Sequence, residues 1–182
     1  FIRNSFFGGR TNSIKLRYTF KDWEEGIYSD ITSLYPSVNF YDPYPTGHPK
    51  IITENFGDIN DYFGFVDCEV ECPKDLYFPV LARKGEKLLF DLEDKRGVWA
   101  TNELHKAIEK GYTITKIHKV FHFEKTSNNL FKDYVAKFLK IKQEASGYPD
   151  WVETDEDKQK YIQDYEKKQG IKLDYHKIKY NA

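Results

Sequence analysis

Methionine is absent from the 182 residues, position 1 included, and cysteine appears only at Cys68 and Cys72. A chain that opens on Phe1 reads as a piece excised from a longer protein. Two thiols are too few for a disulfide framework at this length, and on one strand they would lie about 13 Å apart. A reducing, intracellular compartment is the expectation. The sequence lacks any run near the roughly 18 apolar residues that a membrane span requires, and it lacks a charged-then-apolar leader; no membrane partner is expected. Charge of one sign is missing too, since 28 Lys and Arg stand against 29 Asp and Glu for a formal net charge of −1. No global basic field announces a nucleic-acid binder, so any such surface has to be local. Aromatic mass is abundant, with 14 Tyr and 14 Phe in a chain that is 40% hydrophobic. That is enough for a packed core despite 31% charged residues.

The charge that exists is sorted along the chain. Arg3, Arg10, Lys15, Arg17 and Lys21 stand between Phe1 and Lys21 with no acid among them. Ile14, Leu16, Tyr18 and Phe20 alternate there with a period of two, which predicts a cationic turn followed by a strand. Gly8-Gly9 predicts positive φ and a backbone open to a ligand. Ile27 to Tyr35 predicts a short apolar strand broken by Asp30 and ended by Pro36, and Pro43, Pro45 and Gly47 predict a rigid loop over 42–49. Strands near 65–70, 77–81 and 88–92, with turns at Pro73, Gly85 and Gly97, predict a small antiparallel sheet. A helix from Thr101 closed by Gly111 and a strand over 113–123 follow. Leu130, Phe131, Tyr134, Val135, Phe138, Leu139 and Ile141 recur at helical spacing beside Lys132, Lys137, Lys140 and Lys142, an amphipathic helix with a basic flank that Gly147 and Pro149 end. Thr154 with three following acids opens a solvated last helix, closed by Gly170. The fold class is α+β.

Asp30 needs a reason, because an acid inside an apolar strand near a turn either pairs or coordinates a cation. Its neighbourhood, Asp30-Ile31-Thr32-Ser33-Leu34-Tyr35-Pro36-Ser37, resembles motif A of family B DNA polymerases. Phe6-Phe7-Gly8-Gly9-Arg10 resembles the Tyr-x-Gly-Gly segment of the protein-primed members, with Phe6 where Tyr is usual. Gly47-His48-Pro49, Trp99-Ala100-Thr101-Asn102-Glu103-Leu104 and the run from Phe138 to Gly147 are similar to the version carried by Polinton/Maverick transposons and their viral relatives. The resemblance covers nearly the whole chain.

The resemblance implies a two-metal nucleotidyl transfer from dNTP to a primer or protein hydroxyl. Asp30, helped by the main-chain carbonyl of Ile31, would hold Mg²⁺ (or Mn²⁺). Ser33 and Leu34 would offer main-chain N–H groups to the triphosphate, Tyr35 would close the space of a ribose 2′-hydroxyl, and Lys142 would meet the phosphates. Gly8, Gly9 and Arg10 would contact the template strand. The implied domains are 1–47, a partial palm; 48–125, a terminal-protein-region-like insertion; and 126–182, the helical start of the fingers. Primer-template DNA, dNTP and a terminal protein are the implied partners, and a eukaryotic transposon would place the protein in the nucleus.

Cys68-x₃-Cys72 with His118-x₃-His122 superficially matches zinc-ligand spacing, yet the long gap between the pairs and their strand positions favour structural side chains, and no zinc is expected. The second metal carboxylate of motif C and the Lys of motif B do not follow in this sequence. The exonuclease carboxylates would precede Phe1. The piece alone is therefore expected to be inactive. Two further readings stay open: a non-catalytic module that binds a terminal protein or primer-template DNA, and a homodimer through exposed strand edges.

Overall fold

The computed structural model describes residues 2–11, 13–31 and 33–179. The chain forms two compact units, one from Phe1–Tyr28 with Pro45–Thr126 and one from Ser29–Tyr44 with Ser127–Ala182. It crosses between them at 28/29, 44/45 and 126/127, where the sequence reading sets boundaries at 47/48 and 125/126. In chain order the strands are β1 (Tyr44–Pro45), β2 (Lys50–Ile52), β3 (Gly64–Glu71), β4 (Arg83–Lys84), β5 (Leu88–Leu89), β6 (Lys95–Ala100), β7 (Thr113–His122) and β8 (Thr126–Ser127). The helices are α1 (Leu34–Tyr41), α2 (Thr101–Glu109), α3 (Lys132–Ser146) and α4 (Asp155–Gln169). The architecture is α+β, and among the described residues no helix is long and apolar enough to cross a membrane.

In the first unit an antiparallel sheet runs in the order β2-β7-β3-β6. Alternation on β3 turns Val66, Cys68 and Val70 inward, where they pack with Leu81, Trp99, Leu104 and Val120. The outward residues are charged and paired. Arg96 donates to both oxygens of Asp67 at 3.0 and 2.9 Å, and His118 Nε2 lies 2.6 Å from Glu69. The β3–β7 register shifts twice, between Asp67 and Cys68 and between Glu69 and Val70. These bulges leave His118 and Thr115 as the extra residues of β7. The predicted strands at 65–70 and 113–123 and the helix from Thr101 are present. Thr101 is the first residue of α2 rather than its cap, and its Oγ1 accepts the Gly64 N–H at 3.1 Å.

Four expectations in the first unit are corrected. Gly97, read as a turn, sits inside β6, because the Trp99 ring folds back over it; a Cβ there would meet the indole at 2.6 Å. Residues 77–81 form no strand although Leu81 is buried. Side chains, not a ladder, satisfy this backbone: Trp99 Nε1 donates to Ala82 O at 2.9 Å, Val80 N–H donates to the Tyr112 hydroxyl at 3.0 Å, and Arg10 donates to the Pro79 and Val80 carbonyls. The described part of 14–20 is irregular, with Leu16 fully exposed, since no neighbouring strand among the described residues takes up its backbone bonds. The 88–92 expectation shrinks to β5, which pairs with β4. The β4–β5 hairpin is tied down by Asp91, which accepts from Arg83 at 2.5 Å and from Lys95 at 2.6 Å. Burial opposes ionisation of Asp91, but those cations outweigh it and hold the carboxyl below its ordinary range.

In the second unit α4 has the expected ends. Thr154 and Asp157 cap each other reciprocally, and Gly170 takes the left-handed conformation (φ 67) that closes the helix. Ile162 packs with Tyr148, Val152, Leu173 and Ile178. Buried Glu144 of α3 pins the tail by accepting the Asp174 N–H at 2.8 Å. The buried edge of α3 is narrower than expected: Val135 and Leu139 are half-buried, whereas Tyr134, Phe138 and Ile141 stay exposed.

Gly64 has φ 148, and a Cβ there would fall 1.9 Å from the Phe121 carbonyl. Gly64→Ala is therefore expected to cost more than about 3 kcal/mol, read as a loss of thermal stability by circular dichroism. Burial pushes the Cys68 thiol up to about 12, so iodoacetamide at pH 8 should modify it only after unfolding, as followed by intact mass.

Candidate nucleotide-binding site

The segment that carries the acidic signature does not form the expected strand. Residues 27–31 are irregular and exposed, and a helix, α1, starts at Leu34. Two causes are visible. Among the described residues no strand lies beside 27–31 to complete a ladder. Pro36 falls in the first turn of α1, where a missing N–H leaves no helical bond unmade. Ser33 precedes the helix with φ 56 and ψ 39, and its carbonyl accepts from both the N–H and the Oγ–H of Ser37, at 2.9 and 3.0 Å.

This local geometry sets the chemistry. The first-turn N–H groups of a helix have no intrahelical acceptor, and here they belong to Leu34 and Tyr35. They form the positive end of the helix dipole, which favours anions. Asp30 and Ile31 lie exposed just ahead of them, and the Tyr35 ring is 81% exposed. Thr32 lies outside the described residues.

α3 packs against α1. Lys132, its first residue, sits over the Phe40 ring at 5.3 Å, and Leu139 lines a recess with Ser33 and Pro36, so α1 and α3 run in opposite directions. Lys142 follows Leu139 by about one turn, which carries it toward the start of α1; its side chain is exposed. Lys140 turns instead toward Glu144 at 3.7 Å. Orphan N–H groups stand at the start of α1 with a carboxylate just ahead of them in the chain, and the neighbouring helix carries an exposed lysine. Among the described residues no three His, Cys, Asp or Glu side chains converge on a point that could hold a metal ion. Asp30 offers one hard-oxygen ligand, which suits Mg²⁺, an ion bound through one or two carboxylates with water and substrate phosphates supplying the rest.

The other expected contacts lie in the first unit. Gly8 and Gly9 are exposed and nothing lies within 4 Å of a Cβ built on Gly9. Neither has the positive φ that the sequence suggests; their freedom is of space, not of angle. Arg10 is committed within the unit, stacked on Phe90 at 4.4 Å and bonded to the Pro79 and Val80 carbonyls. Phe6 meets the Phe65 ring edge-on at 5.9 Å. The four residues of the zinc-like spacing have separate surroundings: Cys68 is in the core, Cys72 Sγ lies 3.1 Å from Glu93 O, His118 pairs with Glu69, and His122 Nδ1 accepts the Phe63 N–H at 3.0 Å. Sequence reasoning read Leu139 only as part of the apolar stripe of α3 and gave Gln169 no role; both line the recess along α1.

Ser33 tests the local geometry. A β-branched residue is poorly accommodated at this left-handed position, so Ser33→Val should lower the melting temperature, at a cost of about 1–2 kcal/mol, while Ser33→Gly should leave it unchanged or raise it.

Residues 1–158 match the family model described as DNA polymerase type B, organellar and viral. Among the relatives, the DNA polymerases of Bacillus phages PZA and phi29 are each 24% identical over 157 residues, covering 80% of this chain and 27% of theirs. That of Bacillus phage Nf is 25% identical with the same coverage. A crystal structure of phi29 DNA polymerase in its orthorhombic form superposes with a TM-score of 0.48 at 21% identity, over 62% of this chain and 22% of that one. The chain thus spans about a quarter of the length of the curated relatives it matches.

Proposed function

The chain belongs to the type B DNA polymerases, organellar and viral, and from that premise we propose that it is the motif A-bearing part of a protein-primed DNA-directed DNA polymerase, of the kind carried by Polinton/Maverick elements. The observation that supports this is the run of exposed Asp30 into the start of α1, whose first N–H groups have no helical partner, beside a packed helix, α3, that carries exposed Lys142. Asp30 and the Ile31 carbonyl would hold Mg²⁺ or Mn²⁺; bound there, the cation supplies charge neutralisation on the incoming nucleotide's phosphates. The N–H groups of Ser33 and Leu34 and the ammonium of Lys142 bind and orient the triphosphate. The Tyr35 ring, projecting from the first turn, excludes a sugar that carries a 2′-hydroxyl. Gly8 and Gly9 leave the backbone open to the template strand. Arg10, held against Phe90, shapes the 79–90 loop beside them and keeps a positive charge near that backbone.

A second reading draws on the first unit, which closes its own core around Trp99 and Leu104 without any of Asp30, Tyr35 or Lys142. In that reading the unit is a platform for a terminal protein or primer-template DNA, and catalysis is not its business.

Primer extension separates the two. In the full-length polymerase Asp30→Asn should lower templated incorporation by at least about 10³-fold, and Lys142→Ala should raise the KM for dNTP about tenfold. The chain alone, with one metal carboxylate, should incorporate nothing with either cation; templated synthesis by it would overturn the assignment of roles. Unchanged activity in Asp30→Asn, with DNA binding that weakens as salt rises and disappears on neutralising Arg17 and Lys21, would favour the platform.

A further inference from the structure

Tyr35 has little of its own to hold it in place. Its ring is 81% exposed, so the ring's direction follows from how α1 is tilted and rotated. What fixes α1 lies outside the acidic signature. A recess of about 50 Å³ runs along its length, lined by Ser33, Pro36, Ser37, Phe40 and Tyr41 together with Leu139 of α3 and Gln169, the last residue of α4. Tyr41, at the far end of α1, donates its hydroxyl to Gln169 Oε1 at 3.4 Å. Ser33 keeps a left-handed backbone that serine adopts only under restraint, and Ser37 supplies that restraint from the recess side through its two bonds to the Ser33 carbonyl. The helix therefore rests on Leu139 and is tied through Tyr41 to Gln169, while the small space between them leaves it room to tilt.

We infer that Leu139 and Gln169 are positioning residues for sugar discrimination: they set the tilt of α1 and, through it, how closely the Tyr35 ring closes over the 2′ position of the incoming nucleotide. The inference rests on the reading of Tyr35 given above. Neither residue touches the nucleotide. Both act through the helix, and their effect falls on selection between dNTP and rNTP rather than on the bond-making step.

The test is single-nucleotide insertion by the full-length polymerase, with kcat and KM measured separately for dNTP and rNTP. Tyr35→Val should relax sugar selection and so checks the underlying reading. Gln169→Ala and Tyr41→Phe should each raise the relative kcat/KM for rNTP about tenfold through a lower rNTP KM, leaving kcat for dNTP unchanged. The double variant should go no further than either single one, because both remove the same bond. Gln169→Glu retains the acceptor and should restore selection. Leu139→Ala should shift selection in the same direction. If Tyr35→Val relaxes selection while Gln169→Ala and Leu139→Ala leave it untouched, or depress both nucleotides equally, the positioning role is wrong and the reading of Tyr35 stands. If Tyr35→Val leaves selection intact, the reading and the inference fall together.

Discussion

Trp99 donates its indole N–H to the Ala82 carbonyl at 2.9 Å while its ring lies over Gly97 in the same strand. That one placement decides much of the first unit. It fills the space a side chain at position 97 would claim, so β6 continues through a glycine, and it satisfies a carbonyl in a buried segment that has no strand beside it. With the Tyr112 hydroxyl and the Arg10 guanidinium serving the neighbouring backbone groups, the stretch from Pro79 to Ala82 packs its apolar side chains without joining the sheet. Truncating Trp99 would therefore remove both a large buried surface and a hydrogen bond, and the 79–82 backbone would lose its tie to the core.

The same demand for backbone partners explains what could be read in the sequence and what could not. β3 and β7 were legible because their alternating side chains meet strands that complete the ladder. α4 was legible because its signals are local: a Thr154 cap, acids in the first turn and Gly170 beyond the last. Ile14 to Phe20 and Ile27 to Tyr35 carry equally good strand patterns, yet pattern describes which side chains could share a face and says nothing of whether a neighbour exists. β6 was hidden for the opposite reason, since Gly97 is read as a break unless the ring two residues away is known to cover it. In α3 the periodicity found the helix but overstated the width of its buried edge, as Tyr134 and Phe138 show.

The candidate site divides in a similar way. Asp30, Ser33, Leu34 and Tyr35 are contiguous, so their spacing speaks without a fold. Lys142 stood out in the sequence through resemblance alone, and what the fold adds is that its helix packs against α1. Leu139 was read only as one of the apolar stripe of α3 and Gln169 had no signal, because their contact with α1 comes from helices that meet only after folding. The two glycines at 8 and 9 carry the reverse lesson. Their permissive φ was the obvious reason for them, yet neither has a positive φ, and a Cβ on either would meet nothing closer than 4.0 Å.

The opposed run of α1 and α3 has an electrostatic consequence. The two macrodipoles point against each other and so attract along the stretch where the helices pack. The last turn of α3 carries no basic residue of its own beside its carbonyl pole. Lys142 stands just before that turn, and its exposed ammonium adds to the helix pair a positive charge that the dipoles do not supply.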